Sequence, residues 1–210
     1  DSIRKIAPNG DTTTFAGDPQ LGGSTDATGT AARFNQPNGL AVDAAGNVYV
    51  ADGNNHTLRK ITPAGLVTTL AGRSGSSGTV DGTGGNARFS GIGRGMAVDG
   101  AGTIYVADRG SIRKVTSTGV VTTLAGNGTF GYVDGSGSAA RFDSIGGIVL
   151  DPAGNLFVAD NGAVRKVTPT GVVSTFAGRG DNSGSFDGVG TAARFNQLMG
   201  IARDTIGNLW

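Results

Sequence analysis

Residues 39–89 read GLAVDAAGNVYVADGNNHTLRKITPAGLVTTLAGRSGSSGTVDGTGGNARF. Further copies of this unit begin at Gly95 and Gly147, and a shorter one begins at Gly200, so the starting glycines are 56, 52 and 53 residues apart. The chain opens with the second half of a unit, at Ser2–Gly17. A period of about 40–55 residues that carries four strands is typical of propeller blades. The repeat therefore predicts an all-β propeller fold.

Each unit contains four strand-like segments joined by tight turns. In the first complete unit we predict strands at Leu40–Asp43, Asn47–Asp52, Leu58–Thr62 and Val67–Ala71. The connection Asp43–Gly46 suits a type I turn, because the Asp carboxylate can accept backbone N–H groups and Gly tolerates a positive φ. We therefore expect each unit to be a four-stranded antiparallel meander.

A Gly- and Ser-rich loop of about twenty residues follows the fourth strand, which is long for a compact domain. It carries the motif D-G-x-G-x-x-A-R-F in nearly every copy. Segments such as Thr191–Phe195 are expected to form a single helical turn. We expect the motif's Phe to be buried between neighbouring blades, so that contacts hold the loop in place.

The composition agrees with short strands and many turns. All 16 acidic residues are Asp, Gly occurs 39 times, and only four residues are Lys. Asp and Gly favour turns, whereas Glu and Lys favour helices. The formal net charge of +1 disfavours nucleic acid and anionic membranes as partners. No apolar run approaches the roughly 20 residues that span a bilayer, and the absence of Cys excludes disulfides and thiolate metal sites.

The two ends of the chain carry complementary parts of one unit. We predict a single propeller over residues 1–210 with four blade equivalents, one of them shared between the ends. The blades cover residues 39–89, 95–142, 147–195, and a composite of 200–210 with 2–34. Closing a ring in this way removes exposed strand edges. A fragment of a larger propeller is the alternative.

The unit resembles the NHL-repeat family of β-propellers. The residues that carry the resemblance are the G-[LMI]-A-V-D-x-x-G-[NT]-[VI]-Y-V-A-D frames at Gly39–Asp52 and Gly95–Asp108. Asn55–His56, followed by Leu58 after one inserted Thr, is similar to the Asn-His-Leu signature of the family. The resemblance implies four-stranded blades. It does not choose a function, because NHL propellers include protein-interaction platforms, RNA binders, ligand sensors and some lyases.

The D-G-x-G-x-x-A-R-F motif has two interpretations. Its arginines could bind an anionic ligand, since guanidinium suits carboxylates and sulfates. Alternatively, each Arg is held by its own Asp or by that of a neighbouring blade. Repetition in every unit favours the structural interpretation. We therefore predict an inter-blade clasp formed by Asp26, Arg33, Phe34, Asp81, Arg88, Phe89, Asp134, Arg141, Phe142, Asp187, Arg194 and Phe195.

An Arg-Lys pair recurs in the third strand of each unit. The four pairs are Arg4–Lys5, Arg59–Lys60, Arg113–Lys114 and Arg165–Lys166. Adjacent side chains of a strand point to opposite faces, so these pairs do not form one basic patch per blade. We expect them to line an outer surface or the grooves between blades.

Catalytic chemistry is not evident in the sequence. His56 is the single His, and there is no Cys or Glu to complete a metal centre. The run Asp181, Ser183, Ser185, Asp187 resembles the start of a calcium loop but offers only two carboxylates. We therefore predict no catalytic residue, no metal and no cofactor, with Ca²⁺ as the one ion that this loop could bind. A propeller lyase or hydrolase, with catalytic residues outside this segment, is the alternative.

Positions that differ between the copies are the better candidates for recognition. In a propeller, the hairpins between the second and third strands share one face with the inter-blade loops. The candidates on that face are Asn54, Asn55, His56, Arg109, Phe130, Tyr132, Asn161 and Phe186. Exposed aromatic groups beside Asn and Arg suit a recognition surface, although the aromatic residues could instead pack within their own loops.

These observations predict a non-enzymatic binding or assembly scaffold whose loop face recognises a protein or a glycan. Self-assembly is a further alternative, and an RNA-binding NHL domain is disfavoured by the near-zero net charge. The Gly-, Ser- and Thr-rich loops and the absence of Cys fit an exported protein. We therefore expect an extracellular or cell-envelope location.

Overall fold

The secondary structure consists almost entirely of short strands. The computed structural model describes residues 1–210. The first eight strands are β1 (Ser2–Ile6), β2 (Thr12–Gly17), β3 (Pro37–Val42), β4 (Val48–Asp52), β5 (Thr57–Ile61), β6 (Val67–Gly72), β7 (Gly82–Thr83) and β8 (Ile92–Val98). The other eight are β9 (Ile104–Asp108), β10 (Ser111–Val115), β11 (Val120–Gly126), β12 (Gly135–Ser136), β13 (Ile145–Leu150), β14 (Leu156–Asp160), β15 (Ala163–Val167) and β16 (Val172–Gly178). Short 3-10 helices lie at Gly29–Ala31, Gly53–Asn55, Gly84–Asn86, Gly137–Ala139 and Gly190–Ala192.

The predicted four-stranded meander is confirmed. The strands β3-β4-β5-β6 form one antiparallel sheet in sequence order, and β13 to β16 form another. The strand bounds differ from the predicted ones mainly at β3. This strand begins at Pro37 rather than Leu40, because an irregularity between Pro37 and Gly39 lets its pairing with β4 continue.

The predicted Asp-to-Gly turns are also confirmed. Asp43 Oδ1 accepts the backbone N–H groups of Ala45 and Asn47 at 3.0 and 2.8 Å. Gly46 has a φ of +79°, which a residue with a Cβ rarely adopts. The same carboxylate turn recurs near the C-terminal end, where Asp204 Oδ1 accepts the N–H of Asn208 at 2.8 Å.

Two compact units make up the chain. The first contains Asp1–Ile92 and Thr116–Val121, and the second contains Gly93–Val115 and Thr122–Trp210. Strands β1 and β2 form a two-stranded sheet in the first unit, beside the sheet β3 to β6. That residues 200–210 and 2–34 share one blade of a closed four-blade ring remains a prediction.

The Gly-rich loops cover the outer edges of the sheets. Strand β12 lies in such a loop and pairs with β16, the last strand of the following sheet. In the first unit, the equivalent loop contacts β6 and its turn through the bridge Thr28–Leu66 and the hydrogen bond from Val67 N to Ala27 O, 2.9 Å. An edge that is already paired cannot template association with another strand.

Three of the four Phe residues of the repeated motif, Phe34, Phe89 and Phe142, are buried as predicted, whereas Phe195 is half-buried. Phe34 is 0% exposed and packs between Ala16 of β2 and the apolar side chains of β4 and β5. Phe142 is likewise 0% exposed, in a cluster that includes Ile112 of β10 and Val158 of β14. Each ring therefore fills the space between two sheets of its own unit. The predicted helical turn before each Phe is a 3-10 turn, such as Gly190–Ala192.

Buried arginines organise each core. Arg59 on β5 is 0% exposed, and its guanidinium binds Asp52 Oδ2 at 2.8 Å and Asp26 Oδ1 at 2.6 Å. It also lies over the ring of Phe34, 5.1 Å from the centroid, and donates to the Arg33 carbonyl oxygen at 3.0 Å. Asp26 in turn accepts the N–H of Thr69 on β6 at 2.9 Å. One guanidinium thus links the loop before the sheet to its second and third strands.

The second unit contains the same arrangement. Arg165 on β15 binds Asp160 Oδ2 at 3.0 Å and Asp134 Oδ1 at 2.6 Å, and lies 5.4 Å from the centroid of the Phe142 ring. Burial raises the pKa of Asp160 to about 6, against the opposing effect of Arg165. Burial also acts to raise the pKa of Asp134, but the hydrogen bonds from Thr175 and Arg165 outweigh it and lower the pKa.

This geometry corrects two expectations. Three arginines of the Arg-Lys pairs do not line an outer surface, which was one of the two predicted places, because Arg59, Arg113 and Arg165 are buried and paired with Asp. The partner of Asp26 is Arg59 rather than Arg33, and the partner of Asp134 is Arg165 rather than Arg141. Three of the motif's own arginines instead donate to two carbonyl oxygens of the turn that precedes them. Arg33 binds Thr30 and Ala32, Arg88 binds Gly85 and Ala87, and Arg194 binds Thr191 and Ala193. The fourth, Arg141, donates to Asn127 Oδ1.

Candidate functional site

The hairpins between the second and third strands end in residues with a left-handed backbone. His56, Arg109 and Asn161 have φ values of +55°, +54° and +48°. The tight β4–β5, β9–β10 and β14–β15 connections force this conformation on residues that rarely adopt it. Non-glycine residues in this region cluster at functional sites, and these three differ between the copies. The tips are therefore the natural starting points for a recognition site.

In the first unit, the hairpin Gly53–His56 is largely internal. Asn55 is 5% exposed, and its amide donates to Asp52 Oδ2 and to the Gly23 carbonyl oxygen, both at 2.7 Å. This corrects the expectation that Asn55 belongs to an exposed recognition surface. Asn54 is exposed and donates to Asn35 Oδ1 at 3.2 Å. His56 is half-buried, and its Nδ1 is enclosed without a hydrogen-bond partner.

In the second unit, Arg109 and Phe130 form an exposed pair. The guanidinium of Arg109 lies 5.4 Å from the centroid of the Phe130 ring, and that side chain is 53% exposed. A Cβ at Gly110, beside Arg109, would lie 2.9 Å from the carbonyl oxygen of Thr129, so the loop runs close to the hairpin. A cation over an aromatic face is attracted by the ring quadrupole. The pair thus presents a charged donor group and an apolar ring together.

The same loop reaches the next hairpin through Tyr132. The Tyr132 hydroxyl donates to Asp143 Oδ2 at 2.8 Å, and the Asn161 amide donates to the Tyr132 oxygen at 2.9 Å and to Asp143 Oδ2 at 2.8 Å. The Tyr132 ring lies directly on Gly180, where any Cβ would clash with it. This closed polar triangle fixes the orientation of all three side chains. The structure therefore brings Arg109, Phe130, Tyr132 and Asn161 onto one loop and its two flanking hairpins.

Asp143 is a member of this cluster that the sequence reasoning missed. It follows the A-R-F motif directly, where the other copies carry Asn35, Ser90 and Asn196. Tyr132 similarly stands where the other copies have Ser24, Thr79 and Ser185. Comparison of the copies could have found the Tyr132–Asp143 pair, because both differences occur around the same copy of the D-G-x-G-x-x-A-R-F motif.

Phe186 lies apart from this cluster in the loop after β16. It is 71% exposed and forms an isolated bridge with Arg194. In the proposed calcium run, the Asp181 carboxylate is bound by Arg179 Nε at 2.9 Å. No group of three or more His, Cys, Asp or Glu side chains in the chain is placed to hold a metal ion. Phe186 is therefore a separate candidate from the Arg109–Asn161 surface.

Tyrosine ionisation provides a test of these hydrogen bonds. Burial, together with the hydrogen-bonded carboxylates of Asp43 and Asp143, raises the pKa of Tyr49 and of Tyr132 to about 12, and burial raises the pKa of Tyr105. The unfolded value is about 10. The folded chain then binds more protons than the unfolded one between these values, so stability is lost as pH rises from about 10 to about 12.

We expect the tyrosinate absorbance of the folded protein to rise with a midpoint well above pH 10, and in denaturant with a midpoint near 10. Asp143→Asn should lower the midpoint of one of the three tyrosines, because the hydroxyl then loses a charged acceptor. Coincident native and denatured titration curves would contradict this account of the cluster.

No helix in the structure is long and apolar enough to cross a membrane. A comparison with curated proteins gave no match. Among solved structures, the chain is similar to a protein of unknown function from Bacteroides thetaiotaomicron (24% identity, 96% of this chain and 48% of that chain, TM-score 0.71). It is also similar to an auxiliary nutrient binding protein from Bacteroides ovatus (21%, 97% and 54%, 0.68) and to a virginiamycin B lyase from Staphylococcus aureus (14%, 83% and 48%, 0.53).

The chain spans about half the length of these solved structures. At these identities the likeness shows the fold alone, which is an all-β fold of the propeller type. A family model of the NHL repeat matches residues 34–61, the segment that includes Asn55–His56 and the strands β3 to β5. Residues 34–61 are therefore an NHL repeat, and the resemblance of this chain to the NHL-repeat β-propellers is confirmed.

Proposed function

We propose that this chain is a non-enzymatic binding scaffold that recognises a glycan through the loop surface of its second unit, with a protein as the alternative ligand. The surface consists of Arg109, Phe130, Tyr132 and Asn161. The observation that carries the proposal is the exposed Arg109–Phe130 pair beside the fixed Tyr132–Asp143–Asn161 triangle. An exposed aromatic ring packs on the apolar face of a sugar, while guanidinium and amide N–H groups donate to its hydroxyls.

Rigidity of the surface supports the proposal. The Tyr132 ring occupies the space that a side chain at position 180 would fill, and the Thr129 carbonyl occupies the space beside Gly110, so little conformational freedom is left to lose when a ligand binds. The surface also interrupts the symmetry of the repeat, which a purely structural feature would follow. The similar protein from Bacteroides ovatus is described as an auxiliary nutrient binding protein, which is compatible with a binding role here.

The proposal includes an exported location, in the cell envelope or outside the cell. Its support is compositional, namely the Gly- and Ser-rich loops and the absence of Cys. The enzymatic alternative, a lyase or hydrolase, requires catalytic residues outside this segment. RNA as the ligand is disfavoured by the formal net charge of +1.

A glycan array followed by calorimetry on the strongest hit tests the function. We expect Phe130→Ala and Arg109→Gln each to weaken binding about tenfold or more, because exposed aromatic and Arg side chains carry most of the energy at such surfaces. Val189→Ala is the matched control, since it removes a 93% exposed apolar side chain outside this surface and should leave binding unchanged.

Three outcomes would count against a glycan ligand. An array without any hit, with a protein captured by the Arg109–Phe130 surface instead, would favour the protein alternative. Affinity for RNA that falls steeply with salt concentration would favour nucleic acid. Turnover of a bound glycan or peptide would favour the enzyme.

A further inference from the structure

Asn followed directly by Gly occurs four times in the chain, at Asn9, Asn38, Asn127 and Asn161. In such a pair the backbone nitrogen of the Gly can attack the amide carbon of the preceding side chain, because Gly has no Cβ to crowd the approach. In a folded chain this cyclisation depends on the hydrogen bonds that hold the two residues. Those hydrogen bonds differ between the four pairs.

Asn127 lies directly after the Ala-Gly pair that ends β11, at the start of the loop that carries Phe130. The equivalent residues of the other copies are Asp18, Arg73 and Arg179. The Asn127 side chain is exposed, and the N–H of Gly128 makes no hydrogen bond. The attacking nitrogen of this pair is therefore free.

The side-chain oxygen of Asn127 is held by two donors. Arg141 Nη1 donates to Oδ1 at 2.7 Å, and the backbone N–H of Thr129 donates to the same atom at 3.0 Å. Neither group can accept, so the pair also fixes which atom of the amide is the oxygen. The backbone of Arg141 is anchored by its bridge with Val133. A guanidinium and a backbone N–H on one oxygen form an arrangement that stabilises an oxyanion.

Asn9 provides an internal reference, because it has the same sequence and the same turn without these features. The N–H of Asp11 donates to Asn9 Oδ1 at 3.1 Å, as Thr129 does to Asn127. The N–H of Gly10, however, donates to the Ala7 carbonyl oxygen at 2.9 Å. The Asn9 amide nitrogen faces the carboxylate of Asp11 at 2.7 Å, and no cation binds its oxygen. Cyclisation at Asn9 thus lacks both a free nucleophile and an oxyanion site.

The other two pairs are also restrained. Gly39 is buried within β3, which pairs with β4 at Ala51. The amide nitrogen of Asn161 donates to the Tyr132 oxygen and to Asp143 Oδ2, at 2.9 and 2.8 Å. Asn127–Gly128 is therefore the pair that the fold leaves open to reaction.

We propose that Asn127–Gly128 is a site of self-modification, at which the folded chain converts its own Asn to aspartate or isoaspartate. A base from solvent takes the Gly128 N–H proton, and the nitrogen forms a bond to Asn127 Cγ. Negative charge then develops on Oδ1, where Arg141 and the Thr129 N–H stabilise it. The bond from Cγ to Nδ2 breaks, Nδ2 takes a proton from water and leaves as ammonia, and a succinimide remains. Water adds to either imide carbonyl and opens the ring.

The product changes the loop that carries Phe130 and Tyr132. Aspartate at position 127 gives Arg141 a carboxylate partner, as Asp18 is for Arg33 at 3.7 Å. Isoaspartate instead adds a methylene to the main chain at the start of this loop. The reaction would therefore alter the proposed glycan surface, but it does not depend on glycan binding.

Peptide mapping by mass spectrometry, after incubation of the folded protein in mildly alkaline buffer, tests the site. We expect conversion at Asn127 to be about tenfold or more faster than at Asn9, because only Asn127 has a free Gly N–H and a cation on its oxygen. Arg141→Gln should slow conversion at Asn127 about tenfold, since the oxyanion loses the guanidinium. Arg141→Lys, which keeps the charge, should retain more of the rate. In denaturant, both pairs should react at similar rates in every variant.

Arg194→Gln is the matched control. It removes the equivalent arginine of the next loop, which donates to the carbonyl oxygens of Thr191 and Ala193, and it should leave the rate at Asn127 unchanged. Circular dichroism of each variant checks that the sheets are intact. The proposal is overturned if Asn127 reacts no faster than Asn9 in the folded protein, or if Arg141→Gln reacts as fast as the parent. Conversion in a chain that binds no glycan would remove the proposed function and leave this site standing.

Discussion

Asp160→Ala is expected to lower the free energy of unfolding by about 3–5 kcal/mol, because the buried Arg165 guanidinium loses its one fully buried carboxylate partner and two backbone N–H groups lose their acceptor. Asp160 is 0% exposed and Arg165 is 1% exposed, with 3.0 Å between their charged atoms. Asp160 Oδ1 also accepts the backbone N–H groups of Asp143 and Ser144 at 2.8 and 3.0 Å. The substitution therefore leaves Arg165 with the half-exposed Asp134 as its one remaining carboxylate partner, and it leaves two backbone donors of the core without an acceptor.

Urea denaturation followed by circular dichroism measures the change. Asp181→Ala is the matched control, since its pair with Arg179 is also short, at 2.9 Å, but the two side chains are 63% and 53% exposed. We expect the control to change stability by less than about 0.5 kcal/mol. The double variant Asp160→Ala with Arg165→Met should recover part of the loss, because it removes the stranded charge. Equal effects of Asp160→Ala and Asp181→Ala would show that the buried arginine does not organise this core.

Gly72→Ala is expected to destabilise the first unit by about 3 kcal/mol or more, which places it among the largest single-residue effects. Gly72 ends β6 with a φ of +88°, and a Cβ there would clash with the carbonyl oxygen of His56 and press on the Phe89 ring. Neither backbone segment can move, because β5 and β6 are paired at this point. Gly126 and Gly178 close their strands in the same way against Gly110 and Gly162.

Gly75→Ala separates the two causes of the lost stability, which are the left-handed backbone conformation and the clash of the new Cβ. Gly75 also has a positive φ, +73°, but a Cβ there meets nothing within 4 Å. In this control the free energy of unfolding should fall by only about 1–2 kcal/mol, the cost of a left-handed backbone for a residue with a Cβ. Thermal or urea unfolding of both variants gives the comparison. A Gly72→Ala variant no less stable than Gly75→Ala would contradict the close approach of β6 to the hairpin tip.

Local features of the fold were predictable because they depend on neighbouring residues. The Asp43–Gly46 turn follows from a carboxylate and a glycine three residues apart, and the structure shows both in their expected roles. The burial of Phe34 and Phe142 followed from the repetition of one large apolar residue in a Gly-rich loop. The repeat also indicated where function was to be sought, at residues such as Tyr132 that differ between copies.

The partners of charged residues could not be read from the sequence. Asp26 and Arg33 keep a constant spacing in every copy, which suggested that they pair. Asp26 and Arg59 are 33 residues apart whereas Asp134 and Arg165 are 31 apart, so the pair that forms is the one with the less regular spacing. Burial decides which arginine pairs with Asp26. Arg59 lies in the core beside Phe34, where a charge without a partner is costly, whereas Arg33 donates to carbonyl oxygens of its own turn.

By itself the sequence determined the repeated four-stranded sheet, its turns and the burial of Phe34, Phe89 and Phe142, because period, turn chemistry and apolar pattern act over a few residues. Only the tertiary structure decided that Asn55 is internal, that Asp143 joins Tyr132 and Asn161, and that Arg59 and Arg165 are core residues. These outcomes depend on which loop lies against which sheet. The free energy of a buried polar group is set by the partners that it meets there, and those partners come from distant parts of the chain.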